Sequence, residues 1–235
     1  MVKNNLVSIL LSVNNAENTI DTAIKSILNQ THQNFELLIM DDASSDNTFE
    51  ILQKYISYSN CYLFKNKQNI GLTKSLNILY EKSKGNFIAR QDADDISKKK
   101  RLEIQLNYIN RYELDFCTTR AYVKNSKKII PGLSSYLPKK LSLRYKNPFI
   151  HGTLMIKRNS FKEVGAYNEN FKYSQDYKLF MDLIDKGYKF KDIKKPLYIL
   201  NMNDNISSLK QNQQKYYADC VRKGLKPDIK NENLY

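Results

Sequence analysis

Two acidic clusters carry the most chemical potential in this chain. Asp92-Ala93-Asp94, followed by Asp95, closes the run Phe87-Ile88-Ala89-Arg90-Gln91, and Asp41-Asp42 closes the apolar run 35–40. Side chains alternate along an extended segment, so Asp92 and Asp94 project to one side with Ala93 between them. Two carboxylates so placed suit a hard divalent cation, Mn²⁺ or Mg²⁺, which takes few protein carboxylates and completes its shell with water and phosphate oxygens. That is chemistry for holding a nucleoside diphosphate. A D-x-D alone is also common in solvated turns, and a lone acid after a strand is as often a helix cap. The question is whether the fold brings both clusters to one edge.

Apolar periodicity predicts that it does. Short β-rich runs at 6–13, 35–40, 61–64 and 86–91 alternate with helical patterns. Ile20, Ala23, Ile24, Ile27 and Leu28 fall on one helical face. A second helix is expected over 45–56 with Ser45 as its cap, and a third over 72–84, ended by Gly85 in the left-handed conformation. The order β-α-β-α-β-α-β predicts a parallel sheet with helices on both faces, because parallel strands need crossovers. Such sheets bind ligands at the carboxyl ends of their strands. Those ends are Ser12-Val13-Asn14-Asn15, Asp41-Asp42 and Asp92-Ala93-Asp94-Asp95.

Beyond Asp95 the pattern loosens. A helix over 98–112 opened by Ser97, a strand over 114–123, a weakly periodic basic stretch over 125–147 and a strand at 154–156 are expected. They are followed by a helix over 174–186 ended by Gly187 and an amphipathic C-terminal helix over 206–221, with Leu209, Tyr216, Tyr217 and Cys220 as its apolar contacts. The reading is one domain: a ligand-binding part (1–97), a second part (98–205) and a C-terminal helix and tail (206–235).

Composition narrows the classes. With 235 residues, 41% of them hydrophobic, the chain can bury a core, and wholesale disorder is excluded. The net charge is +14, but residues 1–97 carry −2 and residues 98–235 carry +16. Lysine supplies 31 of the 38 basic residues, whereas readers of nucleic acid lean on the arginine fork, so no nucleic-acid partner is expected. Cys61, Cys117 and Cys220 are widely spaced, without a disulfide or zinc pattern, and read as buried thiols of a cytoplasmic protein. No apolar run is long enough to span a membrane or serve as a signal peptide.

A set of motifs in order adds a resemblance. Val7-Ser8-Ile9-Leu10-Leu11-Ser12-Val13-Asn14-Asn15, Asp41-Asp42-Ala43-Ser44-Ser45-Asp46, Asn69-Ile70-Gly71-Leu72 and Ala89-Arg90-Gln91-Asp92-Ala93-Asp94-Asp95 resemble the successive motifs of family 2 glycosyltransferases. Those are inverting enzymes of the GT-A fold that use nucleotide-sugar donors. The segment around Arg90 is most similar to bacterial members that build capsule, lipopolysaccharide and exopolysaccharide. The resemblance spans residues 5–205 and implies a GT-A α/β fold.

Residue by residue, it implies that Ser12, Asn14, Asp42, Arg90, Asp92, Ala93 and Asp94 form the donor side. Asp42 would contact the base, Asp94 would be the main metal ligand, and Asp92 would lie nearer the ribose and phosphates. Ser174-Gln175-Asp176-Tyr177 resembles the family's (E/Q)-D-(Y/W) motif, making Asp176 the catalytic base; as a plain sequence feature it is also a stabilising acid at a helix start. His151 falls in a segment that lines the acceptor side. Three positions depart from the pattern: Asn14 replaces a base-stacking aromatic, Leu76 an Arg, and Lys178 a second acid.

The implied activity is metal-assisted transfer of a sugar, with UDP as the expected carrier, to a hydroxyl of a glycan or lipid-linked glycan. An inert nucleotide-binding module of the same fold is the alternative. For the basic half, a solvated lysine-rich surface competes with a face turned toward an anionic bilayer or a lipid-diphosphate-linked glycan. Oligomeric state, a homodimer included, is left open.

Overall fold

The computed structural model describes residues 5–132, 136–202 and 210–228. Strands β1 (Val7–Val13) and β2 (Phe35–Asp41) are almost continuously buried, as expected for central strands covered on both faces. They pair in parallel with each other, and β3 (Cys61–Lys65) and β4 (Phe87–Arg90) extend the parallel block to the order 3-2-1-4. Crossover helices α1 (Ile20–Leu28), α2 (Thr48–Gln53) and α3 (Leu72–Lys82) connect them.

The second half turns the sheet mixed. β5 (Ile96–Ser97), α4 (Arg101–Tyr112), β6 (Phe116–Val123), β7 (Ile129–Ile130) and α5 (Lys139–Leu143) lead to β8 (Met155–Lys157). β8 lies antiparallel to both β4 and β6. After α6 (Arg158–Glu163) and α7 (Gln175–Asp185), the long β9 (Phe190–Leu200) runs parallel to β6, and β5 pairs antiparallel at its far side. Nine strands thus form one sheet, followed by the C-terminal α8 (Gln211–Lys223).

Period-two alternation divides the core. Leu10, Leu38 and Met40 face α3, α6, α7 and α8, while Ile9, Leu11, Leu37 and Ile39 face α1, α2 and α4. Helices therefore cover both faces of the sheet.

Several local expectations need correction. Ser45 caps nothing: α2 starts at Thr48, whose N–H is met by the Asp46 carboxylate at 3.0 Å. Gly85 is not left-handed; α3 ends at Lys82, and a Cβ at Gly85 would lie 2.6 Å from the Ser8 nitrogen, so close strand packing demands this glycine. Ser97 belongs to β5, its hydroxyl donating to Gln91 Oε1, and α4 begins at Arg101. The basic stretch after Asn125 holds β7 and α5, and β9 was not foreseen: its lysines and Pro196 read against a strand, yet pairing with β6 holds it, with register shifts at Arg120 opposite that proline. Of the expected C-terminal helix, residues 206–209 with Leu209 lie outside the described residues; Tyr216, Tyr217 and Cys220 are buried.

Candidate active site

Because β1, β2 and β4 are parallel, their carboxyl ends share one edge. Val13 stands opposite Asp41 in register, and the loops beyond are laced together. Asn14 Nδ2 donates to the carbonyls of Asp42 (2.9 Å) and Ala43 (3.2 Å), and Asn15 Oδ1 accepts from Ser45 N at 2.8 Å. Ser12 sits half-buried just below. The Asp42 carboxylate is buried: Oδ1 accepts from Asn66 Nδ2 (2.8 Å) and Ile70 N (3.0 Å), Oδ2 from Gly71 N (2.8 Å). A carboxylate has about four acceptor positions, so three bonds leave one for a ligand. Gly71 adopts φ +88°, the left-handed region where a side chain would be strained, and so turns its N–H onto Asp42.

At the end of β4 the residues form a layered support. Arg90 is fully buried, its guanidinium donating to the carbonyls of Leu10 and Gln91 and to Asp92 Oδ1 at 2.5 Å. It lies beneath the acids rather than at the surface. Asp92 N donates to Tyr198 Oη at 3.1 Å, and Arg101, buried beneath, donates to the carbonyls of Arg90 and Gly152, both at 3.0 Å. Burial lowers the Arg101 pKa to about 10 and drives that of Tyr198 well up. Gly152 packs so closely that a Cβ there would lie 2.5 Å from Tyr198 Oη and 2.6 Å from Asp92 Oδ2.

Ala93 and Asp94 are half-buried above this layer. Burial, then the charge of Asp92, pushes Asp94 up to about 6; only its own N–H and the charge of Lys124 favour the ionised form. Asp95 is buried, accepts from Asn201 N at 2.7 Å, and is raised by burial and by Asp92 and Asp94. Among the described residues no three His, Cys, Asp or Glu groups are preassembled as a cage. The donor set instead fits a cation held by one or two carboxylates, Asp94 with Asp92 beside it, and otherwise by phosphate and water.

Asp176, in the first turn of α7, lies within reach of the charge of Asp92. Asn147 Nδ2 donates to its Oδ2 at 2.7 Å and Tyr177 N to its Oδ1 at 2.8 Å. Burial is the main cause lifting its pKa to about 6, with a contribution from Asp92. His151 Nε2 pairs with Tyr167 Oη at 2.6 Å, and burial together with Arg90 holds the ring neutral, well below its usual range. The charge of Asp92 bears on Asp94, Asp95, Tyr167 and Asp176 alike, so both halves of the chain converge on one site.

The family model for glycosyl transferase family 2 matches residues 8–165. The chain belongs to this family. Relatives include the putative glycosyltransferase EpsE of Bacillus subtilis, 27% identical over 223 residues that cover 91% of this chain and 78% of EpsE. Another is the Escherichia coli UDP-Glc:α-D-GlcNAc-diphosphoundecaprenol β-1,3-glucosyltransferase WfaP, 30% identical over 78% of this chain and 72% of WfaP. Staphylococcus aureus TarS with UDP-GlcNAc superposes with a TM-score of 0.77 over 97% of this chain and 69% of that one, at 17% identity. A Pyrobaculum calidifontis mannosyltransferase with GDP-Man and Mn²⁺ gives 0.70 over 94% and 65%, at 16% identity. The fold of this glycosyltransferase is therefore GT-A.

Five supporting side chains escape motif reading: Asn66, Asn147, Tyr167, Tyr198 and Arg101. Only Arg101 left a trace in the sequence, standing with Gln105 on the same helical face as Leu102, Leu106 and Ile109. A charged residue in a buried stripe signals a satisfied polar partner.

Proposed function

We propose that this glycosyltransferase transfers a sugar from a UDP-linked donor to a hydroxyl of a glycan or lipid-linked glycan, inverting the anomeric carbon, at the cytoplasmic side of polysaccharide assembly. The observation that carries this is Asp176, an acid held by Asn147 with its pKa raised by burial and by the charge of Asp92, the first acid of the β4-end cluster. Asp176 accepts the proton of the acceptor hydroxyl as its oxygen attacks the anomeric carbon from the face opposite the departing diphosphate. A single displacement inverts the configuration. A Mn²⁺ or Mg²⁺ ion held by Asp94 and Asp92 would supply Lewis-acid neutralisation of the diphosphate.

The chain's own residues do the positioning. Arg90 holds Asp92 from below, so its role is to orient that carboxylate for the donor. Asp42 offers its remaining acceptor position to the base, and Ser12, Asn14 and Ala93 shape the floor between the strand ends. Asn14 bonds the β2 loop, which supports a donor held without aromatic stacking at that position. Neutral His151, fixed by Tyr167, lies on the acceptor side. WfaP, named for UDP-glucose and a diphosphoundecaprenol-linked acceptor, and the UDP-GlcNAc complex of TarS support UDP and a lipid-linked glycan.

The test is a thermal-shift panel of UDP-glucose, UDP-GlcNAc, UDP-galactose and GDP-mannose with Mn²⁺. At about 100 times Kd a ligand adds about 2.7 kcal/mol, or roughly 5–10 °C for a chain of this size. A UDP-sugar should shift the protein only with metal, and the shift should vanish in Asp94→Ala. Shifts without turnover toward any lipid-linked acceptor would favour an inert module, and a GDP-mannose response alone would overturn UDP.

A further inference from the structure

From 116 to 162 the chain carries eleven lysines and arginines and no aspartate or glutamate. Part of this run forms an unusual surface around α5. The buried side of the helix carries Lys139, Ser142 and Leu143. Helical geometry then turns Lys140 and Arg144 outward on one flank and Leu141 and Tyr145 on the other, and the turn continues to Lys146. Leu141 is 49% exposed, Tyr145 71%, and the adjacent Tyr136 and Leu137 68% and 56%. Lys140, Arg144 and Lys146 are all exposed. Asp219 on the neighbouring α8 is paired with Arg222, which also donates to the Tyr145 carbonyl.

The patch is held rigidly. The buried Lys139 ammonium pairs with Asp192 on β9 at 3.1 Å, and Tyr177 on α7 donates its hydroxyl to the Leu143 carbonyl. One residue beyond Lys146 stands Asn147, the partner of Asp176. Large apolar groups exposed beside cations that form no ion pair among the described residues are the composition of an interfacial segment, where aliphatic and aromatic side chains enter the headgroup region and cations meet anionic lipid. Nucleic acid would use the cations but leave Leu137 and Leu141 in water.

We propose that the surface formed by Tyr136, Leu137, Lys140, Leu141, Arg144 and Tyr145, with Lys146 at its edge, docks this enzyme on an anionic bilayer and brings the Asp176 side of the site to the membrane. This goes beyond the proposed reaction and needs no particular donor or acceptor.

The test is co-sedimentation of the full chain with phosphatidylcholine vesicles with and without 30% phosphatidylglycerol. Binding should require the anionic lipid and weaken with salt. Each cation near such a surface is worth about fivefold, so Lys140→Gln/Arg144→Gln/Lys146→Gln should bind about 100-fold more weakly. Leu141→Ser/Tyr145→Ser should also lose binding, with circular dichroism unchanged in both. The distant control Lys25→Gln/Lys54→Gln should bind as wild type. No binding to anionic vesicles, equal losses in the control, or patch-dependent capture of a single-stranded oligonucleotide in place of vesicles would overturn the proposal. So would a concentration-dependent dimer that Leu141→Ser/Tyr145→Ser abolishes while vesicle binding stays intact.

Discussion

Asn147 and Asp176 are joined by a 2.7 Å hydrogen bond between residues 29 positions apart, and the second oxygen of that carboxylate is met by the Tyr177 N–H. Both bonds favour the ionised carboxylate, while burial, the stronger influence, opposes it. The result is an acid poised at about 6, close to the pH at which a general base is most useful.

Replacing Asp176 by Asn should remove the base and keep the shape. A lost general base typically costs 10²–10⁴-fold, so kcat should fall by that amount with donor affinity unchanged by calorimetry. Because the folded-state pKa is raised from 3.8 to about 6, the proton binds more tightly in the folded state, and stability falls as pH rises between those values. Above pH 6 the amide variant should therefore melt at a higher temperature than wild type. Near-normal turnover in Asp176→Asn would remove the residue from the mechanism.

Asn147→Ala should act through pH. Only ionised Asp176 accepts a proton, so kcat of the wild type should decline as pH falls through about 6. Removing the Asn147 amide takes away a bond that favours the charge, and the acidic limb should move to higher pH. A lower kcat with the limb unmoved would mean that Asn147 only packs.

Arg90 and Asp92 form a pair whose cation is almost wholly buried. Breaking it in Arg90→Met leaves a carboxylate that keeps partial access to water, so the expected loss is about 3 kcal/mol by urea unfolding, at the low end for buried pairs. Arg90→Lys keeps the charge but not the fork that reaches Leu10 and Asp92 together, and should recover only part of it. A loss below about 1 kcal/mol in Arg90→Met would show that the pair is not a support.

Gly152→Ala places a methyl against Asp92 Oδ2 and Tyr198 Oη. Overpacking of this kind costs about 1–3 kcal/mol, and the displaced Asp92 should weaken the metal-dependent donor shift. Gly165→Ala is the control: its φ of +83° is strained but nothing lies within 4 Å, so it should lower Tm without touching donor affinity. Equal donor affinity in both variants would mean that Asp92 tolerates the crowding.

The parallel half of the sheet was legible in the sequence. The largely apolar runs 6–13 and 35–40 read as buried strands, the one-faced helices between them point to parallel pairing, and the parallel pairing observed brings the chain beyond β1, β2 and β4, with Asp42, Asp92 and Asp94, to one edge. Local rules were enough because each strand and helix is marked by its own periodicity, and a crossover helix between two strands favours parallel pairing. Tertiary structure alone decided the rest. The antiparallel entry of β8, the pairing of Lys-rich β9 with β6 and the descent of Arg90 and Arg101 beneath the acids all follow from contacts between distant segments. The same holds for Asn147 reaching Asp176 and Tyr198 reaching the Asp92 amide across 106 positions. The pKa of Asp176 is set by that assembled burial and by the charge of Asp92, neither of which exists until the two halves of the sheet close around one site.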